Sequence, residues 1–147
     1  ASCFNDIEID YVITVETKGI PIAMMTARVL NKPMVVVRNK SKLTDGTVIY
    51  MNYMSSSGHH IKTMCLSTKA VKKGSKVLFI DDFMKAGGTA KGIIELMQEF
   101  ESEVVGVGVL MATKDPVDKL YHNYKSLLLL NGIDEKNKRV DIQSVIH

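Results

Sequence analysis

The stretch VLFIDDFMKAGGT, residues 77–89, constrains the fold of this chain more than any other part of its sequence. Its first four residues are apolar and have the composition of a strand that is buried on both faces. That strand runs directly into Asp81 and Asp82, and the pair Gly87–Gly88 then precedes Thr89, which can cap a helix. A buried strand, a glycine-rich turn and a helix in this order are typical of a parallel sheet flanked by helices.

The neighbouring segments predict the same class of fold. Residues 11–15 are interpreted as a buried strand, a helix follows at Pro21, and residues 34–37 make a second strand. Such a strand–helix–strand unit builds parallel sheets. Residues 104–111 and 126–130 add further strands, and a weakly alternating tail is expected at a sheet edge. The apolar residues of that tail are Val140, Ile142 and Val145. The sequence therefore predicts an α/β protein with a mostly parallel sheet.

Residues 39–67 follow a different pattern. Two segments rich in strand-favouring residues, 47–54 and 61–67, flank the polar sequence SSSGHH. They predict a long, flexible β-hairpin that protrudes from the main sheet. Tyr50 and Tyr53 are expected to pack within this hairpin rather than to stack on a nucleobase.

Composition and charge narrow the class of protein. With 147 residues, 46% of them hydrophobic, residues 1–147 are expected to form one domain. The first ten residues resemble the end of a helix, which indicates a piece of a larger protein. A net charge of +3 lacks the basic bias of a direct nucleic-acid binder, and no apolar run approaches the roughly 20 residues that cross a bilayer. Cys3 and Cys65 fit neither a disulfide framework nor a zinc site, so a cytoplasmic protein is expected.

The chemistry of residues 81–89 predicts a phosphorylated ribose as the ligand. Ligands of open parallel sheets bind at the carboxyl ends of the strands. There the amides of residues 85–89 can converge on a phosphate, and the helix N-terminus adds partial positive charge. Carboxylates only accept hydrogen bonds, so Asp81 and Asp82 suit the vicinal hydroxyls of a sugar. Alternation along a strand would nevertheless point these two side chains in opposite directions unless the strand has begun to turn.

Other interpretations of the same residues stay open from this pattern alone. Acid pairs after buried strands also hold magnesium in receiver-type signalling domains and in nucleotide hydrolases, and a glycine pair often serves only the turn itself. The chain has no GxxxxGK[ST] phosphate loop, and Gly106 and Gly108 lack the third glycine of a dinucleotide site.

The whole stretch resembles the phosphoribosyl pyrophosphate (PRPP) motif of type I phosphoribosyltransferases, with four apolar residues, two acids, two apolar residues and a loop of small residues. The resemblance implies that the acids bind ribose hydroxyls and that the loop binds the 5-phosphate. It further implies that residues 16–19 form the pyrophosphate loop, that Arg38 is a basic contact to pyrophosphate, and that the hairpin closes over the ligand as a lid. The ligand-binding residues expected on this basis are Thr17, Lys18, Gly19, Arg38, Ser56, Ser57, Asp81, Asp82, Lys85, Ala86, Gly87, Gly88 and Thr89.

The turn departs from the pattern of catalytic members of that family, which carry hydroxyl residues where this chain has Lys85 and Ala86. Each lost hydroxyl removes a hydrogen bond worth about 1 kcal/mol net. The Lys85 side chain either restores attraction as a point charge or points into solvent. The chain also has little sequence left for a hood over a nucleobase. These departures predict a site that binds its ligand without turnover and has no catalytic residue.

The sequence DDFMKAGGT, with ETKGIP upstream, is also similar to the purine operon repressors of Gram-positive bacteria. That resemblance implies a homodimeric regulator that senses PRPP and binds operator DNA through an N-terminal winged-helix domain, absent from these residues, without membrane association. A competing phosphorylated nucleotide would use the same pockets. No intrinsic cofactor or metal site is expected, because Mg²⁺ would arrive as a complex with PRPP. The alternative, supported by the intact acid pair, is an active purine phosphoribosyltransferase of the adenine or xanthine type.

Overall fold

The computed structural model describes residues 1–42, 46–54 and 60–145. Within these residues a short 3₁₀-helix, Ser2–Phe4, precedes eight strands and two α-helices. In chain order these are β1 (Tyr11–Val15), α1 (Ile20–Leu30), β2 (Met34–Val37), β3 (Val48–Met54), β4 (Ile61–Ser67), β5 (Lys76–Met84), α2 (Gly88–Glu99), β6 (Glu103–Thr113), β7 (Lys125–Asp134) and β8 (Arg139–Ser144).

Six of these strands form one sheet, in the order β2-β1-β5-β6-β7-β8. All neighbouring pairs are parallel except β7 and β8, which pair antiparallel. The prediction of a mostly parallel sheet flanked by helices is confirmed, and so is the edge position of the tail. Strand β5 lies between β1 and β6, and it pairs with β1 along residues 77–79 and with β6 as far as Met84, so its carboxyl end lies in the middle of the sheet.

Alternation along β5 explains why its first residues are apolar without interruption. Val77 and Phe79 pack in the layer that contains α2, whereas Leu78 and Ile80 pack in the layer that contains α1. All four side chains are buried. A strand covered on both faces in this way has no position for a polar residue, which is the pattern that the sequence showed.

The hairpin forms a separate two-stranded sheet, as predicted, and its inner face packs on α2. Tyr53, Met64 and Leu66 of the hairpin are buried in the same core cluster as the apolar side of that helix. At its base, Arg38 and Cys65 exchange two backbone hydrogen bonds of 3.1 and 2.7 Å. These bonds join β4 to the end of β2, so the base of the hairpin continues the edge of the main sheet.

Strand β5 extends beyond Asp81 to Met84. The additional residues pair with β6, so that Met84 lies opposite Ala112. The expected position of the acid pair, at the end of the strand, is wrong, because pairing with β6 continues the ladder past both acids. The turn itself begins at Lys85.

The prediction that Thr89 caps the second helix is wrong. The N-cap of α2 is Gly87, with a φ of 78°, a backbone conformation that favours glycine. No side-chain hydrogen bond caps this helix, and Thr89 lies in its first turn. The hydroxyl of Thr89 therefore does not cap the helix, and its position is set by the first helical turn.

Two segments outside the sheet and the two α-helices complete the fold. The first residues form the 3₁₀-helix rather than the end of an α-helix, and Phe4 is buried against the layer that contains α1. Residues 114–124 form neither helix nor strand. Neither of the described α-helices is long and apolar enough to cross a membrane.

Candidate functional site

The acid pair opens into a cleft of about 480 Å³ at the carboxyl end of β5. Both Asp81 and Asp82 line it, although they are neighbours in a strand. The Asp82 amide donates a hydrogen bond of 2.9 Å to the Asp81 carboxylate, which fixes the two residues relative to each other. The cleft unites the loop after β1, the acid pair, the start of α2 and the hairpin. Its lining residues are Val15, Glu16, Thr17, Lys18, Tyr53, Lys62, Asp81, Asp82, Phe83 and Thr89.

The loop after β1 contributes its predicted residues in two different ways. Thr17 and Lys18 are exposed and line the cleft, whereas Gly19 is buried behind it. A Cβ atom at Gly19 would lie 2.5 Å from the Thr14 hydroxyl oxygen and 2.7 Å from a carboxylate oxygen of Asp81. Only glycine therefore lets this loop approach the acid pair so closely.

The same loop is tied to the base of the hairpin by Glu16. The Asn39 amide donates a hydrogen bond of 2.6 Å to the Glu16 carboxylate, and the Glu16 amide donates one of 3.0 Å to the Val37 carbonyl. The peptide bond between Glu16 and Thr17 is cis. Glu16 lines the cleft, so one side chain borders both the ligand space and the segment that leads into the hairpin.

The glycine-rich turn lies at the other end of the acid pair. Lys85 is exposed, Ala86 and Thr89 are half-buried, and Gly87 and Gly88 are buried. Thr89 lines the main cleft. The other residues of the turn, apart from Ala86, line a very small adjoining hollow of about 10 Å³. The turn is thus next to the cleft, with its backbone packed closely against the protein.

The structure does not bring every predicted residue to this cleft. Arg38 lines a different cavity, of about 300 Å³, between β2 and β4. Its predicted contact with pyrophosphate stays a prediction. Ser56 and Ser57, predicted at the tip of the lid, lie outside the described residues.

Two hairpin residues line the cleft without having been predicted to bind. Tyr53 packs as expected, since a Cβ atom at Gly92 of α2 would lie 2.6 Å from the Tyr53 Cβ, and its side chain also borders the cleft. Lys62 stands opposite Tyr53 in the hairpin register and is exposed. With Lys18, it brings positive charge to a cleft that also holds acids. No sequence signal identified Tyr53 and Lys62 as residues of the cleft, because packing decides which face of the hairpin meets α2.

Burial dominates the electrostatics of the acid pair. It raises the pKa of Asp81 from 3.8 to about 7, the Asp82 amide opposes this shift, and the Asp82 carboxylate adds to it. Burial, together with the Asp81 charge, also raises the pKa of Tyr53. Near neutral pH, Asp81 can therefore hold or release a proton, and a ligand that donates hydrogen bonds to it favours the ionised form.

We expect Asp81→Asn to stabilise the unliganded chain at pH 8 by about 2 kcal/mol, which is roughly 5–10 °C in melting temperature. Because the folded-state pKa of Asp81 lies above its unfolded value, its contribution to stability is fully present below pH 3.8 and is lost as the pH rises through about 7. Asparagine does not ionise, so it does not have this loss of stability. The difference should therefore shrink towards zero at pH 4.

Thermal unfolding at both pH values measures this difference in stability, with the exposed Asp6→Asn as the control. An equal difference in stability between Asp81→Asn and the wild type at both pH values would contradict a raised pKa of Asp81.

Across residues 1–42, 46–54 and 60–145, no group of three or more His, Cys, Asp or Glu side chains could hold a metal ion. The arrival of Mg²⁺ as a complex with the ligand stays a prediction.

The comparison with protein families identifies the architecture. Residues 1–144 match the phosphoribosyl transferase domain. The chain belongs to the phosphoribosyl transferase domain family. This membership rules out the receiver-type interpretation of the acid pair. It also agrees with the fold of solved members: the structure superimposes on the adenine phosphoribosyltransferase of Rhodothermus marinus with a TM-score of 0.76 and 28% identity, over 88% of this chain and 74% of that one.

Within this family, the chain resembles regulators more closely than the enzymes found with them. It is 48% identical over 144 residues to the purine biosynthesis transcriptional repressor PurR of Bacillus subtilis, covering 98% of this chain and 50% of that protein. It is 39% identical to the purine biosynthesis transcriptional activator PurR of Lactococcus lactis, covering 95% and 52%. A xanthine phosphoribosyltransferase of Lactococcus lactis is 31% identical, covering 90% and 65%. The chain spans about half the length of the regulators that it matches.

Proposed function

We propose that this chain is the effector-binding part of a repressor of purine biosynthesis genes, and that it binds Mg–PRPP without transferring its ribose phosphate. The observation that carries the proposal is the cleft in which Asp81, Asp82, Thr89 and the loop Thr17–Lys18 meet. Its volume of about 480 Å³ lies within the range of small-ligand sites. The 48% identity with a repressor supports a regulatory role.

The parts of PRPP match the cleft in a single orientation. Hydroxyls of the ribose donate hydrogen bonds to Asp81 and Asp82, which can only accept when ionised. The 5-phosphate then lies at the turn of residues 85–89, where amides and the start of α2 favour an anion. The pyrophosphate extends towards Thr17 and Lys18, on the opposite side of the acid pair. In this arrangement the two carboxylates face the ribose hydroxyls, and the two phosphate groups lie on either side of the acid pair rather than against it.

Turnover is not expected, because Lys85 and Ala86 stand where catalytic members carry hydroxyl side chains. Two charge-assisted hydrogen bonds to the phosphate are lost with them. The exposed ammonium of Lys85 can replace their attraction but not their geometry. The second candidate function is an active transferase of the xanthine type, which the acid pair and the 31% identity with such an enzyme favour.

Regulation follows by linkage between two ligands. We expect operator DNA to bind through an N-terminal domain that lies outside these residues, in a homodimer. If PRPP binds the DNA-free form more tightly, a rising PRPP concentration lowers operator occupancy, and the shift cannot exceed the difference in affinity. A phosphorylated nucleotide that competes for the cleft and prefers the DNA-bound form would have the opposite effect. In this proposal the protein is cytoplasmic, as are PRPP and the operator DNA.

One pair of measurements tests the proposal. Titration calorimetry of the chain with Mg–PRPP should show binding, whereas incubation with Mg–PRPP and each of adenine, guanine, hypoxanthine and xanthine should yield no nucleotide. Binding with nucleotide formation would establish the transferase alternative. Absence of binding would refute both candidates. Release of operator DNA by PRPP, measured by gel shift on the protein encoded by the whole reading frame, then tests the regulatory step.

A further inference from the structure

A buried lysine lies directly behind the glycine-rich turn. Lys119, in the irregular segment between β6 and β7, is only 8% exposed. Its ammonium donates hydrogen bonds to the carbonyls of Lys85 (2.5 Å) and Pro116 (3.1 Å) and to the hydroxyl of Thr113 (3.4 Å). None of these three acceptors is a carboxylate. Lysines are rarely buried without an acidic partner at hydrogen-bond distance, so this position has a cost that packing alone does not explain.

The residues that follow Lys119 continue the contact along the turn. The Leu120 amide donates a hydrogen bond of 2.7 Å to the Ala86 carbonyl. A Cβ atom at Gly87 would lie 2.9 Å from the Tyr121 amide nitrogen. Residues 119–121 therefore pack against the back of residues 85–87, and two successive carbonyls of the turn are held on that side.

Holding these carbonyls also orients two amides. In a trans peptide the C=O and the following N–H point in opposite directions, and the cis bonds of the described chain are elsewhere. The amides of Ala86 and Gly87 therefore point away from residues 119–121. Within the described part of the chain, neither amide donates a hydrogen bond to the protein. Both are thus available to an anion on the front of the turn.

The Lys119 ammonium has a second effect through the same peptide. A cation that binds the Lys85 carbonyl polarises the peptide group and makes the Ala86 N–H a stronger donor. It also places a positive charge behind the turn. Burial lowers the pKa of Lys119, and the negative charge of Asp115 opposes this shift. The turn has lost the side-chain hydroxyls at positions 85 and 86, and these two effects act on its backbone instead.

We infer that Lys119 is a positioning residue for the anion-binding turn, which holds the Lys85 carbonyl so that the Ala86 and Gly87 amides face the 5-phosphate of the effector. The inference rests on the proposed function, since it takes PRPP as the ligand of the cleft. It gives Lys119, Leu120 and Tyr121 a role in binding, although they contact the turn from behind and do not line the main cleft.

The test compares three substitutions by titration calorimetry with Mg–PRPP. Lys119→Met keeps the length and apolar stem of the side chain without its charge, and it should raise the dissociation constant about tenfold. Lys119→Arg keeps a cation and donors, and it should bind within about threefold of the wild type. Lys114→Met, the same chemical change at an exposed position of the same segment, is the matched control and should bind within about twofold.

A spectroscopic measurement separates positioning of the turn from general stabilisation. In the unliganded chain, Lys119→Met should shift the Ala86 amide proton upfield, because the peptide is no longer polarised, and Lys119→Arg should restore most of the shift. A role in stability alone would lower the melting temperature without this paired change in the Ala86 signal and in affinity. If Lys119→Met does not fold, Lys119→Gln replaces it, with a smaller expected loss of affinity because its neutral amide can still donate to the Lys85 carbonyl.

The outcomes distinguish the inference from the function on which it rests. If the wild-type chain fails to bind Mg–PRPP, the proposed function and the inference both fall. If the wild type binds and the uncharged variant, Met or Gln, binds equally well, the proposed function stands and the inference is overturned. Loss of affinity in the uncharged variant, with recovery in Lys119→Arg and no change in Lys114→Met, supports the inference.

Discussion

Replacing Asp81 and Asp82 together by asparagine should weaken binding of Mg–PRPP by at least about 100-fold. Both carboxylates line the cleft, and each ionised carboxylate accepts a hydrogen bond from a ribose hydroxyl that is worth roughly 1.5–3 kcal/mol. Asparagine keeps the size of the side chain but presents a neutral amide, which turns part of the acceptor surface into a donor. Titration calorimetry above pH 8, where Asp81 is ionised in the wild type, measures the full difference.

The matched control removes two negative charges from outside the cleft. Glu99 and Glu135 are exposed and do not line it, so Glu99→Gln with Glu135→Gln should change the dissociation constant by less than about twofold. A double asparagine variant that binds as tightly as the wild type would show that the acids do not contact the ligand. Thermal unfolding of the double variant at pH 8 separates a loss of binding from unfolding, and the Asp81→Asn change should by itself stabilise the unliganded fold there.

Gly88→Ala should destabilise the chain by about 2 kcal/mol and loosen the hairpin from α2. A Cβ atom at this position would lie 2.1 Å from the Met54 carbonyl oxygen and 3.0 Å from its carbonyl carbon. Both are backbone atoms, so the end of β3 must move rather than a side chain turn aside. Alanine is otherwise the better residue within a helix, by about 1 kcal/mol, so a net loss would come from this contact. The expected fall in melting temperature is roughly 5–10 °C.

A second glycine provides the control for this substitution. Gly132, in β7, has no atom within 4 Å of a built Cβ, and Gly132→Ala should leave the melting temperature unchanged or raise it slightly. Hydrogen exchange locates the effect of Gly88→Ala, which should speed exchange of the β3 and β4 amides more than those of β1 and β5. Equal melting temperatures for Gly88→Ala and the wild type would mean that β3 does not pack this closely against α2.

The stability expected from Asp81→Asn and the binding lost with it are two effects of one arrangement. Burial raises the pKa of Asp81, so the folded chain holds an ionised carboxylate only at a cost. A ligand that donates hydrogen bonds to that carboxylate removes part of the cost. The cleft thus has a residue whose environment is poor for the unliganded fold and good for an effector, as is common at functional sites.

Much of the fold follows from local sequence. Residues 77–80 had to form a buried strand because four apolar residues before two acids fit neither an exposed strand nor an amphipathic helix. Pro21 and the apolar stripe of the first helix, together with the short strands on either side of it, determined a parallel unit. The ligand class also followed locally, because carboxylates and a glycine-rich turn are chemically complementary to a sugar phosphate.

Only the tertiary structure decided how these parts form one site. Strand β5 continues through Asp82 to Met84 because β6 pairs with it, and both carboxylates line one cleft because the loop at Gly19 and the hairpin close around them. Tyr53 and Lys62 reach the cleft, and Lys119 reaches the back of the turn, from positions 19–38 residues away from Asp81 in sequence. Local propensity determines strands and turns because it acts over a few residues, and the residue types themselves determine the chemistry of a turn. Contacts between distant segments depend on how whole layers pack, and no short stretch of sequence encodes that.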